Sequence, residues 1–222
     1  MLILINGESM EFDSLANKAR YKIEKMLVFG ELNFNVLYSE NKLATMLELG
    51  RTPVREAIQS LEKDNLLAIH PRKGIEFLEI TSEQQLQLLE VRRQIEPICL
   101  RFAIIRATIK QKRQMHILAE KIALCGEAHD QIGILNCLQE IHELILESTQ
   151  NPYFAHALRQ IQYFSRRFWF ENKCNKDDVM ATKFHTNILK AVACGNEKIA
   201  VRFSHLLMEH LTEATIRNIS DE

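Results

Sequence analysis

The chain has 222 residues, is 46% hydrophobic and 26% charged, and holds only 7 Gly and 4 Pro, a composition that supports one large or two modest cores and excludes a disordered chain or one with long linkers. Its formal net charge of −1 excludes an overall pull toward nucleic acid or membrane, and the first 78 residues are balanced too, with 10 Lys+Arg against 11 Asp+Glu. Any nucleic-acid contact therefore has to rest on local charge. Cys99, Cys125, Cys137, Cys174 and Cys194 are an odd number without a C-x-x-C pair, which points to reduced thiols packed as small apolar core residues in a cytosolic protein. No apolar run approaches the roughly 20 residues that cross a bilayer, and Met1–Asn6 is too short for a signal segment. The expectation is a soluble, cytoplasmic, mainly helical protein with no membrane partner.

In chain order, Leu15 to Val28 reads as an amphipathic helix, with Ala16, Ala19, Ile23, Met26 and Leu27 at helical spacing and Gly30 as its stop. A short extended piece, Asn35 to Tyr38, precedes a helix capped by Ser39 that carries Leu43, Ala44 and Leu47 on one side. A tight turn through Glu48-Leu49-Gly50 then delivers the chain to Arg51-Thr52-Pro53-Val54-Arg55-Glu56-Ala57-Ile58. Pro53 suits the first helical position and Thr52 the cap before it. Val54, Ala57, Ile58 and Leu61 face inward, while Arg51, Arg55 and Gln59 share the outer face near the helix start. Free amides at a helix start attract phosphate, and an arginine fork grips phosphate or the O6/N7 edge of guanine. Those residues alone also fit an ordinary capped helix with solvated arginines. Two short helices joined by a turn form helix-turn-helix geometry, in which the second helix enters the major groove.

This helix is expected to end at Lys63, with Asp64-Asn65 as the stop. Leu66 to His70, a turn at Pro71-Arg72-Lys73-Gly74, and Ile75 to Ile80 then read as a β-hairpin with a basic tip, where Gly74 permits close backbone approach to the ligand. Leu43-Ala44, Arg51 to Ala57, Leu61-Glu62 and Pro71-Arg72-Lys73-Gly74 resemble, in order and spacing, the winged helix-turn-helix of the GntR family of bacterial transcriptional regulators, over residues 15 to 80. The resemblance implies DNA contacts from Arg51, Thr52, Arg55, Arg72, Lys73 and Gly74. The chain departs from the family at Gly50, where Ser is usual, and at Phe34-Asn35, where Pro-Gly is usual; the first departure removes a hydroxyl near the phosphate-facing turn.

From Thr81 onward the pattern is helical throughout, opening on the start signal Thr81-Ser82-Glu83-Gln84. Helices are expected at 82–107, 109–125, 128–148, 152–171, 176–194 and 196–218, broken by Gly126, Asn151-Pro152, Asn172 to Asn175 and Gly195-Asn196, and together they form an antiparallel bundle. The expected division is a DNA-binding domain at 1–80 and a helical effector-binding and dimerisation domain at 81–222. Glu90 to Glu96, Ile141-His142 with Asn151-Pro152, and His185 to Val192 ahead of Gly195-Asn196 resemble the FCD effector domain of the FadR subfamily.

Many such domains hold a divalent metal through one Asp and three His, with a carboxylate effector above it. The resemblance places His142 and His185 as two of those ligands, for zinc or nickel, and directs Arg92 toward an effector carboxylate. The Asp position is Leu138 and the last His position is Leu207, so half of the expected set is missing. His210 is a candidate replacement, and His142 and His185 fit equally as hydrogen-bonded core residues. Tyr163 to Phe170 reads as an aromatic core segment, from which Arg166 and Arg167 reach either the pocket mouth or the DNA-binding half. The leading reading is a homodimeric, sequence-specific DNA-binding regulator with a small organic acid as effector. The other readings are an effector-independent dimeric DNA-binding protein and a metal-dependent bundle enzyme, against which no nucleophile motif, phosphate loop or complete ligand set is present.

Overall fold

Helices start where a hydroxyl can accept one of the orphan amides of the first turn. Ser14 accepts from Asn17 N, Ser39 from Lys42 N, and Thr81 from Gln84 N, the last as a full capping box in which the Gln84 side chain reaches back to the Thr81 amide. In the computed structural model, which describes residues 2–5, 8–11, 14–64, 66–172 and 178–221, the chain divides into two units, Met1–Glu79 and Ile80–Glu222. Asn65, Cys174 and most of the Asn172–Asn175 break lie outside the described residues.

The first unit opens with an antiparallel hairpin of β1 (Leu2–Ile5) and β2 (Glu8–Glu11), which is not among the expected elements although the Asn6-Gly7 dipeptide is a hairpin signal. Three helices follow, α1 (Leu15–Val28), α2 (Glu40–Leu47) and α3 (Arg51–Lys63). Ile23, Leu27, Leu43, Leu47, Val54, Ile58 and Leu61 close their common core. Polar ties fix how α1 holds the other two. Arg20 on α1 reaches Ser60 Oγ at 2.6 Å and Asp64 at 2.6 Å, and Lys22 donates to the Leu47 carbonyl at the end of α2 at 2.7 Å, filling an acceptor that the helix itself leaves open. The expected two-stranded wing is a three-stranded sheet. β3 (Leu37–Tyr38) pairs antiparallel with β5 (Gly74–Phe77), which pairs with β4 (Leu67–His70), in the order β3-β5-β4.

Two departures from the family pattern have local explanations. Asn35, where Pro-Gly is usual, takes a φ of 58°, the left-handed conformation that Gly otherwise supplies and Asn tolerates. Gly50, where Ser is usual, is the N-cap of α3 and provides no side-chain cap. The helix therefore begins at Arg51, with Thr52 as its second residue and Pro53 as its third. This corrects the expected Thr52 cap, because the turn after Glu48, itself at φ 54°, brings the chain into helical geometry two residues earlier than Pro53 signals.

In the second unit the described residues form six helices: α4 (Ser82–Arg106), α5 (Ile109–Glu127), α6 (Gln131–Ser148), α7 (Pro152–Glu171), α8 (Asp178–Ala193) and α9 (Glu197–Asp221). They agree with the expected spans to within a few residues. α4 packs on α7 and α9, α5 on α6 and α8, α6 on α7, and α8 on α9, and Leu100, Met115, Ile122, Ile141, Leu189 and Met208 lie in the core. Arg106 donates to Thr149 O at 2.8 Å and Gln150 donates to Arg106 O at 2.7 Å, so the end of α4 and the α6–α7 turn satisfy each other. The cysteines are not uniformly core residues: Cys99 and Cys137 are buried, whereas Cys194 is exposed at the α8–α9 turn. Burial pushes the Cys99 and Cys137 thiols up to about 12, which keeps both protonated and inert. No helix among the described residues is long and apolar enough to cross a membrane.

Gly74 has a φ of 134°, and a Cβ at this position would lie 2.7 Å from the Tyr38 carbonyl oxygen. Gly74→Ala is expected to destabilise the first unit by about 1–3 kcal/mol through strain in the β3–β5 pairing, measured as a lowered urea midpoint.

Candidate functional site

Two sets of residues carry chemistry, one in each unit. In the first unit Arg51, Thr52 and Arg55 are exposed on the first turns of α3, and Arg72 and Lys73 are exposed in the turn between β4 and β5. Val54, Ala57, Ile58 and Leu61 are buried on the opposite side of α3, so the apolar spacing of the helix is what turns its arginines outward. Arg55 forks onto Glu40 at the start of α2, with Nη2–Oε2 at 2.8 Å and Nε 3.1 Å from both carboxylate oxygens. The Glu40 carboxylate thus sits where the fork would grip an incoming oxyanion, and with the Arg55 side chain 62% exposed water competes for both partners. Arg72 has a φ of 64°, a left-handed turn that sends the chain back into β5. Gly74 is half-buried against β3, so the close approach that requires glycine is to Tyr38, inside the domain. The sequence reading had assigned that approach to the ligand.

In the second unit, a cavity of about 70 Å³ opens among the helices. A single water needs about 10–15 Å³ on this scale, so several waters or one short organic molecule fit. Arg92 from α4, Leu135, Leu138 and His142 from α6, Ser165, Arg166, Trp169 and Phe170 from α7, His185 from α8, and Leu207 and Leu211 from α9 all contribute to its lining. A smaller neighbouring cavity of about 40 Å³ shares His142, His185 and Leu207 and is also lined by Glu96, Gln162 and Ser204. Arg92, His142 and His185 are thus brought together as the sequence suggests, and Leu138 and Leu207 occupy the same cavity. His210 is not in the lining of either cavity; its ring packs edge-on against Phe184 with centroids 5.8 Å apart.

Arg92 is 3% exposed, and a buried guanidinium has to have its donors met. Its Nε donates to Glu96 Oε1 at 2.7 Å, one helical turn away, and its Nη1 donates to Ser165 Oγ at 2.7 Å. Ser165 Oγ also accepts from Gln85 Nε2 at 2.9 Å, and Glu96 Oε1 accepts from Gln162 Nε2 at 3.1 Å. This network joins α4 to α7. Beside it, Arg166 Nη1 lies 2.7 Å from His142 Nδ1. Arginine can only donate, so Nδ1 is the acceptor and the neutral ring carries its proton on Nε2. The His142 and His185 rings meet at 5.9 Å between centroids and 63° between planes. Burial first, then the charges of Arg166 and Arg92, holds His142 well below the ordinary histidine range; burial and Arg92 bring His185 to about 3.

These groups do not fit a dication. Leu138 and Leu207 contribute no lone pair, His142 Nδ1 is taken by Arg166, and two guanidinium groups line the same space. Among the described residues no group of three or more His, Cys, Asp or Glu is placed to hold a metal. Of the two places the sequence leaves open for Arg166, the cavity is where it lies; Ser165, Gln162 and Trp169 are not singled out by sequence reasoning. A signal for them existed: Leu158, Gln162, Ser165 and Trp169 recur at four-, three- and four-residue spacing on one face of α7, and polar residues on an inward stripe mark a cavity or a buried network.

Residues 87–213 match the FCD domain family, and residues 15–77 match the family described as bacterial regulatory proteins, gntR family. The chain is 27% identical over 145 residues to the HTH-type transcriptional regulator YdhC of Bacillus subtilis, covering 63% of this chain and 63% of that protein. It is 23% identical over 152 residues to the HTH-type transcriptional regulator McbR of Escherichia coli, covering 68% of this chain and 69% of that protein. The solved structure of E. coli McbR/YncC superposes with a TM-score of 0.75 at 19% identity, covering 95% of this chain and 97% of that one.

A histidine protonates near 6.5 in the unfolded chain but only at about 3 for native His185, so the unfolded state binds more protons throughout that interval and stability falls as pH drops through it. His185→Leu is expected to flatten the stability profile between pH 6.5 and 3, measured by urea unfolding at stepped pH, with no change in slope above pH 7.

Proposed function

Because the chain belongs to the GntR family of bacterial regulatory proteins and carries the FCD domain, we propose that it is a homodimeric transcriptional regulator that reads operator DNA with Arg51, Thr52, Arg55, Arg72, Lys73 and the Gly74 turn, and that responds to an organic acid in the bundle cavity. The observation that carries the first half is the exposed arginine pair on the opening turns of α3, whose opposite face is wholly buried. A helix start with free amides and two guanidinium groups suits phosphate oxygens and base edges, and the basic β4–β5 turn adds charge to an otherwise balanced domain. On reaching DNA, Arg55 exchanges the Glu40 carboxylate for a phosphate or a guanine edge. A single helix-turn-helix reads only a few base pairs, so paired half-sites on a symmetric dimer supply the remaining affinity.

The second half rests on the Arg92 network. An acid drawn to Arg92 competes with Glu96 and Ser165 for its donors, and Ser165 also holds Gln85 on the first turn of α4. α4 is the helix by which the chain enters the second unit, so a change in its first turn is the local event that couples effector to operator affinity. This reading assigns the protein no catalytic step.

Genomic fragments selected on the full-length protein are expected to contain inverted half-sites, and their affinity should fall steeply between 50 and 200 mM salt. Arg55→Ala should weaken specific binding about 10- to 100-fold, whereas Lys73→Ala should weaken all sequences alike and reduce the salt slope by about 1. Unchanged operator binding by Arg55→Ala, measured by fluorescence anisotropy, removes α3 as the recognition helix. Ser165→Ala removes the hold on Arg92 and Gln85 that an effector would loosen, so it should shift operator affinity toward the effector-bound value and blunt any further response to an effector.

A further inference from the structure

Hydrogen-bond donors dominate the α6–α7 side of the larger cavity, where His142, Ser165, Arg166 and Trp169 stand; Gln131, Thr182 and His185, each of which also carries a lone pair, complete its polar lining with Arg92. Arg92 Nη1 and Gln85 Nε2 both donate to Ser165 Oγ, which fills the two lone pairs of that oxygen and leaves its hydroxyl hydrogen as the remaining capacity. Arg166 is a donor by nature, and its contact with His142 Nδ1 fixes the His142 proton on Nε2. Trp169 lines the cavity, and its buried indole N–H meets no acceptor among the described residues. No Asp or Glu appears among the described lining residues. Two guanidinium groups and the absence of a carboxylate among the described lining residues disfavour a dication, whereas an acceptor-only group finds donors on α6 and α7.

We propose that the cavity is a metal-independent carboxylate site, in which Arg166, Ser165, Trp169 and His142 hold the acid group directly, in the place where the family resemblance puts a metal. It rests on the reading of the bundle as the effector-binding unit. A carboxylate brings two oxygens and about four acceptor positions and no donor, which matches this lining. Leu135, Leu138, Phe170, Leu207 and Leu211 form most of the remaining wall, beside Gln131, Thr182 and His185, so the body of the ligand is mainly apolar as well. With about 70 Å³ available, the fitting class is a short monocarboxylic acid with an aliphatic or aromatic body. A second carboxylate would face a wall of mainly leucine and phenylalanine, with the Arg92 guanidinium already engaged by Glu96 and Ser165, at a desolvation cost that selects against dicarboxylates. Leu138 and Leu207, read as losses when the metal ligands are aligned, are here the residues that set ligand polarity.

The test is calorimetric titration of the full-length protein, dialysed against EDTA, with benzoate, hexanoate, their neutral amides benzamide and hexanamide, succinate, and zinc chloride alone. At least one of the two monocarboxylates is expected to bind once per chain in EDTA, at least tenfold more tightly than its amide and than succinate, while zinc alone shows no stoichiometric binding. Arg166→Gln should weaken that acid at least tenfold. Arg166→Lys, which keeps the charge, should retain part of the affinity and serves if the glutamine variant does not fold. Leu138→Phe keeps every donor and fills the space, and should abolish binding with the helical circular dichroism intact. Acid binding that appears only after zinc is added, or that is unaffected in both Arg166 variants, overturns the metal-independent site and leaves the effector reading standing. Absence of binding by both acids with and without zinc overturns both.

Discussion

A guanidinium can be buried in a helical bundle only if its N–H groups are met, because neither its charge nor its donors tolerate an apolar wall. Arg92 is 3% exposed, and the second unit is arranged around meeting it. Glu96 supplies the charge from one turn along the same helix, Ser165 supplies an oxygen from α7, and Gln162 and Gln85 are held in place by those two partners. The packing of α4 on α7 is consequently specific as well as apolar. A buried ion pair of this kind stabilises less than a leucine seam would, and what it adds is a specific join between two helices.

The same reasoning separates the histidines from the role their positions suggest. His142 and His185 are buried beside Arg92 and Arg166, and both are held neutral. An imidazole that accepts from a guanidinium is not also offering that nitrogen to a metal. Conserving two of four ligand positions therefore does not leave half a metal site. It leaves two small polar rings at 5.9 Å from each other, between two cavities in which Leu138 and Leu207 stand beside Arg92, Ser165 and Arg166.

In the first unit the controlling interactions are short-range. Arg20 and Lys22, on α1, fasten α3 and the end of α2, and buried aliphatic residues close the interior. The orientation of α3 follows from those ties together with its apolar stripe, and the Glu40 carboxylate keeps the Arg55 fork ordered at the surface. Gly74 belongs to this internal frame: its missing Cβ makes room for the Tyr38 carbonyl, so its presence in the motif reports on sheet packing as much as on a partner.

Local signals were legible in the sequence wherever the physics is local. Caps at Ser39 and Thr81, the period of the apolar residues and the Pro71–Gly74 turn located α1 to α9 and the wing, since capping and amphipathicity depend on residues three or four positions apart. The same signals were misread at Thr52 and Pro53, where the preceding left-handed Glu48 moved the helix start to Arg51, and the Asn6-Gly7 dipeptide, a hairpin signal between Leu2–Ile5 and Glu8–Glu11, was passed over. Long-range polar partners were not legible, because nothing in the sequence says that Ser165 will receive both Arg92 and Gln85 across two helices. The sequence alone determined that two metal-ligand positions had become Leu138 and Leu207. Only the tertiary structure decided what that means, since the proximity of Arg166 to His142 is a contact between residues 24 apart, made by the packing of α7 on α6.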